Sequence, residues 1–272
     1  MTSRTLPEFE DPPVIEVVIG VQFAPLQVFS GAHAGWFWKQ FLGDGWDSAV
    51  EVPRVQDAYE KFGDERQFMP PIGITFRGPR ETERTQIMSS TTGRMIQIQD
   101  TRFILNWRMT TFAPIYPSFE SLKGEFFDHL NSFGRFAEVA GTPNLELNQW
   151  EVVYVNHIPR GELWDSLKDW NNVLNFFAVP DAQASGLECE TYAGHWSLVL
   201  PDNRGRLQIS IQHGRADGGD GAEILVLQLT SRGPLSGEKS LHEDLELGHS
   251  AIVSTFTAMT TGTAHKIWGR TR

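Results

Sequence analysis

The stretch Ile15-Glu-Val-Val-Ile-Gly-Val-Gln-Phe23 decides the reading of the fold, because it recurs as Trp150-Glu-Val-Val-Tyr-Val-Asn-His-Ile158. In the first copy Ile15, Val17, Ile19, Val21 and Phe23 alternate with Glu16, Val18, Gly20 and Gln22. That period of two marks a strand with one apolar face. An aromatic-rich amphipathic segment follows each copy, Trp36 to Phe41 and Trp164 to Phe177. Each half then opens a strand of amides and aliphatics on Gly-Arg: Gly93-Arg-Met-Ile-Gln-Ile-Gln99 and Gly205-Arg-Leu-Gln-Ile-Ser-Ile-Gln212. Each closes on a longer helix-period segment, near 118–139 and 240–261. A repeat of this length governs the architecture, so it is read before any single motif.

Outward from these copies, residues 1–13 form a polar lead-in ending in Asp11-Pro12-Pro13, which excludes a central strand there. Strands are expected at 84–89, 94–99 and 102–109, with Thr91-Thr92-Gly93 as a hairpin turn. A further irregular strand is expected near 68–76. Ser118 caps a helix on which Phe119, Leu122, Phe126, Phe127, Leu130 and Phe133 keep helical spacing. Gly141-Thr-Pro143 is the seam between a first repeat, 14–141, and a second, 142–272. The second half predicts a strand at 147–158, a helix at 162–177, and strands near 187–200, 205–213 and 222–231. Its last helix carries Leu241, Leu245, Ile252, Phe256 and Met259 on one stripe. The expected fold class is therefore α+β, two tandem β-α-β-β-β-α repeats whose antiparallel strands can join in one curved sheet with helices on one face. This order resembles the duplicated fold of the TATA-binding protein and its relatives; a helix-grip fold is the alternative.

The bulk numbers exclude more than they identify. In 272 residues, 40% hydrophobic and 21% charged, there is ample material for a core. A formal charge of −11 disfavours nucleic acid and anionic lipid as partners. The single cysteine, Cys189, excludes an intramolecular disulfide and any multi-cysteine zinc site. No apolar run approaches the roughly 20 residues of a membrane span, and the first residues lack a signal peptide's apolar core. The expectation is a cytoplasmic protein.

Several stretches carry a wider resemblance. They are Pro12-Pro13-Val14-Ile15-Glu16-Val17, Ile96-Gln97-Ile98-Gln99 with Arg102-Phe103-Ile104-Leu105-Asn106-Trp107, Tyr116-Pro117, and Tyr154-Val155-Asn156-His157-Ile158. They continue with His249-x-x-Ile252-x-x-x-Phe256 and His265-x-x-Trp268-Gly269. Together these resemble, over nearly the whole chain, a sporadically distributed family of bacterial and archaeal proteins of unknown function. The resemblance implies an accessory role, in defence, toxin neutralisation or specialised biosynthesis, and brings no catalytic or binding residues with it.

Opposite the apolar strand face lie Gln97, Gln99, Asn106, Arg108, Gln208 and Gln212, amide-rich positions shared by both halves. Amides both donate and accept, so such a face can read a protein or peptide partner; a plain solvent-facing sheet is the bland alternative. Trp107 shares parity with Phe103 and Leu105, which points it to the core rather than to a base-stacking platform. Glu246-x-x-His249 places two ligand-type residues on one helix face, half of a di-iron signature without a second half, so no metal site is assigned. Cys189, between Glu188 and Glu190, is a poor nucleophile candidate, and His157, near a strand end, could be a base but as one histidine is read as structural. Trp268, among His265, Lys266 and Arg270, is read as packing on the sheet rather than as a docking tail. With no P-loop, Rossmann or nucleophile-elbow motif, no cofactor is expected.

The favoured function is a non-enzymatic adaptor that holds a protein or peptide partner through Gln97, Gln99, Asn106, Arg108, His157, Gln208 and Gln212, or in the groove between repeats. The alternative is a small-ligand or metal-dependent enzyme with a pocket there. The copies differ where Ile19 becomes Tyr154 and Gln22 becomes His157, so a specific site is expected near those positions or in that groove.

Overall fold

The computed structural model describes residues 5–63, 84–176, 189–216, 221–235 and 241–272. They build one open sheet of nine antiparallel strands, in the order β2-β3-β4-β5-β1-β6-β9-β8-β7. The strands are β1 Val14–Phe23, β2 Ser48–Val52, β3 Arg84–Ser89, β4 Arg94–Gln99 and β5 Arg102–Arg108. They continue with β6 Leu147–Pro159, β7 Ala193–Val199, β8 Arg206–Arg215 and β9 Glu223–Pro234. The helices are α1 Gly31–Phe41, α2 Phe119–Val139, α3 Leu241–Met259 and the short α4 Gly262–Ile267.

The two quoted stretches meet at the centre of the sheet. β1 pairs with β6 so that Val17 faces Tyr154, Val18 faces Val153 and Val21 faces Trp150. On its other side β1 pairs with β5, setting Val17 against Trp107 and Val21 against Phe103. Alternation then puts Val17, Ile19, Val21, Phe103, Leu105, Trp107, Trp150 and Val152 on one face, and all eight are buried. Trp107 is a core residue, as its parity requires.

Helices α1, α2 and α3 cover that face. Phe103 packs on Phe37 of α1 and on Phe126 and Phe133 of α2, at 6.3, 6.0 and 5.0 Å between ring centres. The predicted α2 stripe is buried at Phe119, Leu122, Phe126, Leu130 and Phe133, and the helix carries the stripe on to Phe136. On α3 a helical glycine serves contact: a Cβ at Gly248 would lie 2.6 Å from Cζ3 of the buried Trp150. Trp268 is buried beside Phe256, 5.3 Å between ring centres, which is packing rather than a free tail.

Two expectations need correction. Of the helix expected at 162–177, the described residues form a 3₁₀ helix at Leu167–Asn172 only. Ser166 and Asp169 form a capping box, but the chain beyond is claimed by the end of α3. The Asn175 amide bonds the carbonyls of Ala258 and Thr260, and the Thr261 N–H donates to the Val173 carbonyl. The second difference is an unexpected edge strand, β2, paired to β3. The irregular strand expected near 68–76 lies outside the described residues. No described helix is long and apolar enough to cross a membrane.

Candidate functional site

The amide-bearing face holds a segment of the chain itself. Residues 54–62 run across it without secondary structure of their own, and sheet side chains take up their backbone groups. The Gln99 amide donates to the Val55 carbonyl at 2.9 Å and accepts from the Val55 N–H at 3.1 Å. The Ala58 N–H donates to Gln22 and the Glu60 N–H to Gln149, while Arg102 donates to the Gln56 carbonyl. Arg206 donates to the Lys61 carbonyl. Backbone groups turned toward the sheet need partners, and here glutamines and arginines of the sheet supply them.

Charges fasten the same segment. Arg54 bonds Asp100 at 2.7 Å and Asp57 at 3.0 Å, and Arg206 pairs with Glu60. Beneath them Glu151 pairs with Arg232 and lies 4.0 Å from Arg102. Burial pushes the Glu151 carboxyl up, but Arg232 and Arg102 together outweigh it and hold it below the usual carboxylate range. For Arg102 burial wins, drawing the guanidinium pKa down.

The residues expected to bind a partner are therefore divided. Gln97, Gln99 and Asn106 are buried. Gln97 accepts from Arg84 and Gln86 and donates to Asn106, which in turn donates to Glu16. Arg108 is exposed, 3.6 Å from the same Glu16 carboxylate. Gln208 donates to Glu60 of the crossing segment. His157 and Gln212 flank Val226 from neighbouring strands, apart from the rest; Gln212 is exposed and His157 half-buried.

On the helix side lies a cavity of about 630 Å³, bounded by the lead-in, the start of α2, β6 and α3. Its polar centre is a chain of three groups. The Tyr116 hydroxyl lies 2.8 Å from that of Tyr154, which lies 2.9 Å from Nδ1 of His249. Burial pushes both phenols up, so both stay protonated at neutral pH. Burial pulls the His249 imidazole down to about 4, Glu120 opposing and Lys123 assisting, so the ring is neutral. That ring stacks face to face on Phe119 at 4.0 Å. A neutral imidazole is donor at one nitrogen and acceptor at the other, so the relay can offer either sense of hydrogen bond at Tyr116.

Beside the relay, Lys123 is shared by Glu120, at 3.0 Å, and Glu246. Burial pulls the ammonium pKa down, but the bonds to Glu246 and Glu120 outweigh it and leave it raised. The N-cap of α2, Ser118, lines the cavity with φ of 91°, a region disfavoured for a side-chain-bearing residue. Such strain costs on the order of 1–3 kcal/mol and concentrates at ligand sites. The lead-in wall is held by the far end of the chain. The Glu10 N–H donates to the Gly269 carbonyl and the Thr271 N–H to that of Glu8. Phe9 packs edge-on against Phe256 at 5.7 Å.

Three cavity residues were visible in the sequence. Tyr154 is one of the positions where the two quoted stretches differ, and Glu246 and His249 are the i, i+3 pair on α3. Tyr116 carried no signal beyond its place before Pro117, since its role comes from a contact across 38 residues. Among the described residues no group of three or more His, Cys, Asp or Glu could hold a metal ion. Compared with protein-family models, curated proteins and solved structures, the chain has no significant match.

Proposed function

We propose that this is a binding protein that holds a small amphipathic molecule in the cavity between the two halves of the chain. The observation that carries this reading is the Tyr116–Tyr154–His249 relay, set in a wall of Leu6, Phe9, Val14, Ile252 and Phe256. Apolar walls with a few convergent polar groups are the usual make-up of a ligand site, and the volume is in the usual range. The strained Ser118 at its rim supports the same reading.

The test uses N-phenyl-1-naphthylamine, whose fluorescence rises in apolar surroundings. It should bind wild-type protein saturably at one site and fail to bind Val253→Trp, in which an indole fills the cavity from α3. Non-saturable binding, or equal binding to Val253→Trp, refutes the reading.

A second reading rests on the amide face. Sheet side chains there hydrogen-bond an extended backbone, that of residues 54–62, which is the chemistry of peptide capture. On this reading the face that holds the chain's own segment takes a protein partner's segment in its place.

We also read the chain as two related units. In support, the strand order β3-β4-β5-β1 matches β7-β8-β9-β6 read from the opposite edge. Val18 is moreover paired with Val153, its own counterpart in the alignment of the two quoted stretches. The likeness to the TATA-binding-protein topology, and an accessory cellular role, remain parts of this proposal.

A further inference from the structure

The cavity proposed above as the ligand site has a pronounced charge asymmetry, which bears on what it would hold. Among the described residues that line it, four are glutamates, Glu8, Glu10, Glu120 and Glu246, and none is Lys or Arg. Two cations neutralise part of this charge from outside the wall: Arg272 pairs with Glu8, and Lys123 is shared by Glu120 and Glu246. Four carboxylates against two cations leave the rim net negative. Glu8, Glu10 and Glu120 are exposed, so the charge sits at the solvent side of the cavity rather than in its depth.

The depth carries no charge to answer an anion. Both phenols are protonated and His249 is neutral, while Phe9, Tyr116, Phe119, Tyr154 and Phe256 surround the space with aromatic rings. Ring faces attract cations and repel anions. An anionic ligand would meet the rim's field on entry and find no guanidinium or ammonium inside. A neutral ligand could donate a hydrogen bond to the carboxylates but would gain no charge pairing from them. An organic cation would gain from both.

We infer, resting on the reading of the cavity as a ligand site, that the ligand is an organic amine. Its protonated nitrogen lies at the Glu120–Glu246 rim and its apolar body lies along the aromatic wall. The single ammonium of Lys123 leaves one carboxylate's worth of charge there for the incoming group. The relay then serves a neutral hydrogen-bonding group on the body of the ligand.

The experiment is displacement of bound N-phenyl-1-naphthylamine by three ten-carbon chains that differ in their end group: decylamine, decanol and decanoate. Decylamine should displace at least about tenfold more tightly than decanol, with decanoate weakest, as expected for one unit charge met by a partly solvated carboxylate. In Glu246→Gln the advantage of the amine should fall about tenfold. In the double variant Glu120→Gln/Glu246→Gln the Lys123 ammonium is left unpaired at the rim, and the order should invert toward decanoate. Both glutamates are partly or fully exposed, and a melting curve verifies that the variants fold. Equal displacement by the three chains, or decanoate ahead of decylamine in the wild type, overturns the inference while leaving the cavity reading intact. Failure of the fluorophore itself to bind saturably removes both.

Discussion

Replacing Glu151 by glutamine tests whether the charges beneath the crossing segment hold the sheet together. The Glu151 side chain is 12% exposed and the Arg232 side chain 14%, with the Arg232 Nε 2.7 Å from the carboxylate. Arg102, its side chain 4% exposed, lies 4.0 Å away. At that distance, and at an effective dielectric of about 20, a unit pair is worth roughly 4 kcal/mol before desolvation is counted. Removing one member of a buried pair typically costs about 3–5 kcal/mol, because the survivor stays buried and unpaired. Asp57, 4.0 Å from Arg102, still answers that guanidinium, so the expected loss for Glu151→Gln is at the lower end, about 3 kcal/mol. Urea denaturation at pH 7 reads this as a midpoint lowered by roughly 1 M. The sign with pH also follows. Because the folded carboxyl is held below its ordinary value, its contribution is whole above that value and is lost as pH falls through the folded one. The gap between wild type and variant should therefore persist from neutral pH to below 4.5 and close only in stronger acid. A variant with its midpoint within about 0.2 M of wild type at pH 7 would show that the network contributes nothing.

Three more outcomes are expected. Ser118→Gly relieves the strained φ of 91° at the loss of a weak cap, so its melting temperature should rise by a few degrees; a fall would mean the conformation is not strained. Gln99→Ala strands the N–H and carbonyl of Val55, which should cost about 1–3 kcal/mol and speed hydrogen exchange at the Val55 amide. Unchanged exchange would show that the segment is held by its charges alone. His249 has its pKa pulled by burial to about 4, so between its ordinary 6.5 and that value the unfolded chain takes a proton the folded chain refuses. Wild-type stability should accordingly fall faster than that of His249→Asn as pH drops from 6.5 toward 4, and parallel curves would contradict the buried, neutral ring.

What the sequence made legible was periodic. The alternation in 15–23 and 150–158 found the two central strands, and the phenylalanine spacing from Phe119 found α2 with its buried face. What it hid was held by long-range partners. Residues 54–62 have no period because side chains of distant strands, Gln22, Gln99, Gln149 and Arg102, satisfy their backbone. The amides read as one outward-facing surface are divided for the same reason, with Gln97, Gln99 and Asn106 buried and Gln212 left exposed. The 3₁₀ helix at 167–172 misled in the opposite way. Trp164, Leu167 and Trp170 supply apolar spacing, but Asn175 donates to the carbonyl of Thr260 and the Val173 carbonyl accepts from the Thr261 N–H, both just past α3. At the cavity, the departure at Tyr154 was readable, whereas its partnership with Tyr116 depends on how β6 meets the approach to α2.

The lead-in wall of the cavity sets an order of events during synthesis. The backbone groups of Glu8, Glu10 and Asp11 find their partners at Thr271, Gly269 and Trp268, so this wall waits until those distant residues are made. At about 5–20 residues per second, the delay is roughly ten to fifty seconds. The central strands can pair well before that, while the cavity remains open on one side. A growing chain can therefore hold its central strands before residues 268–271 arrive to close this wall of the cavity.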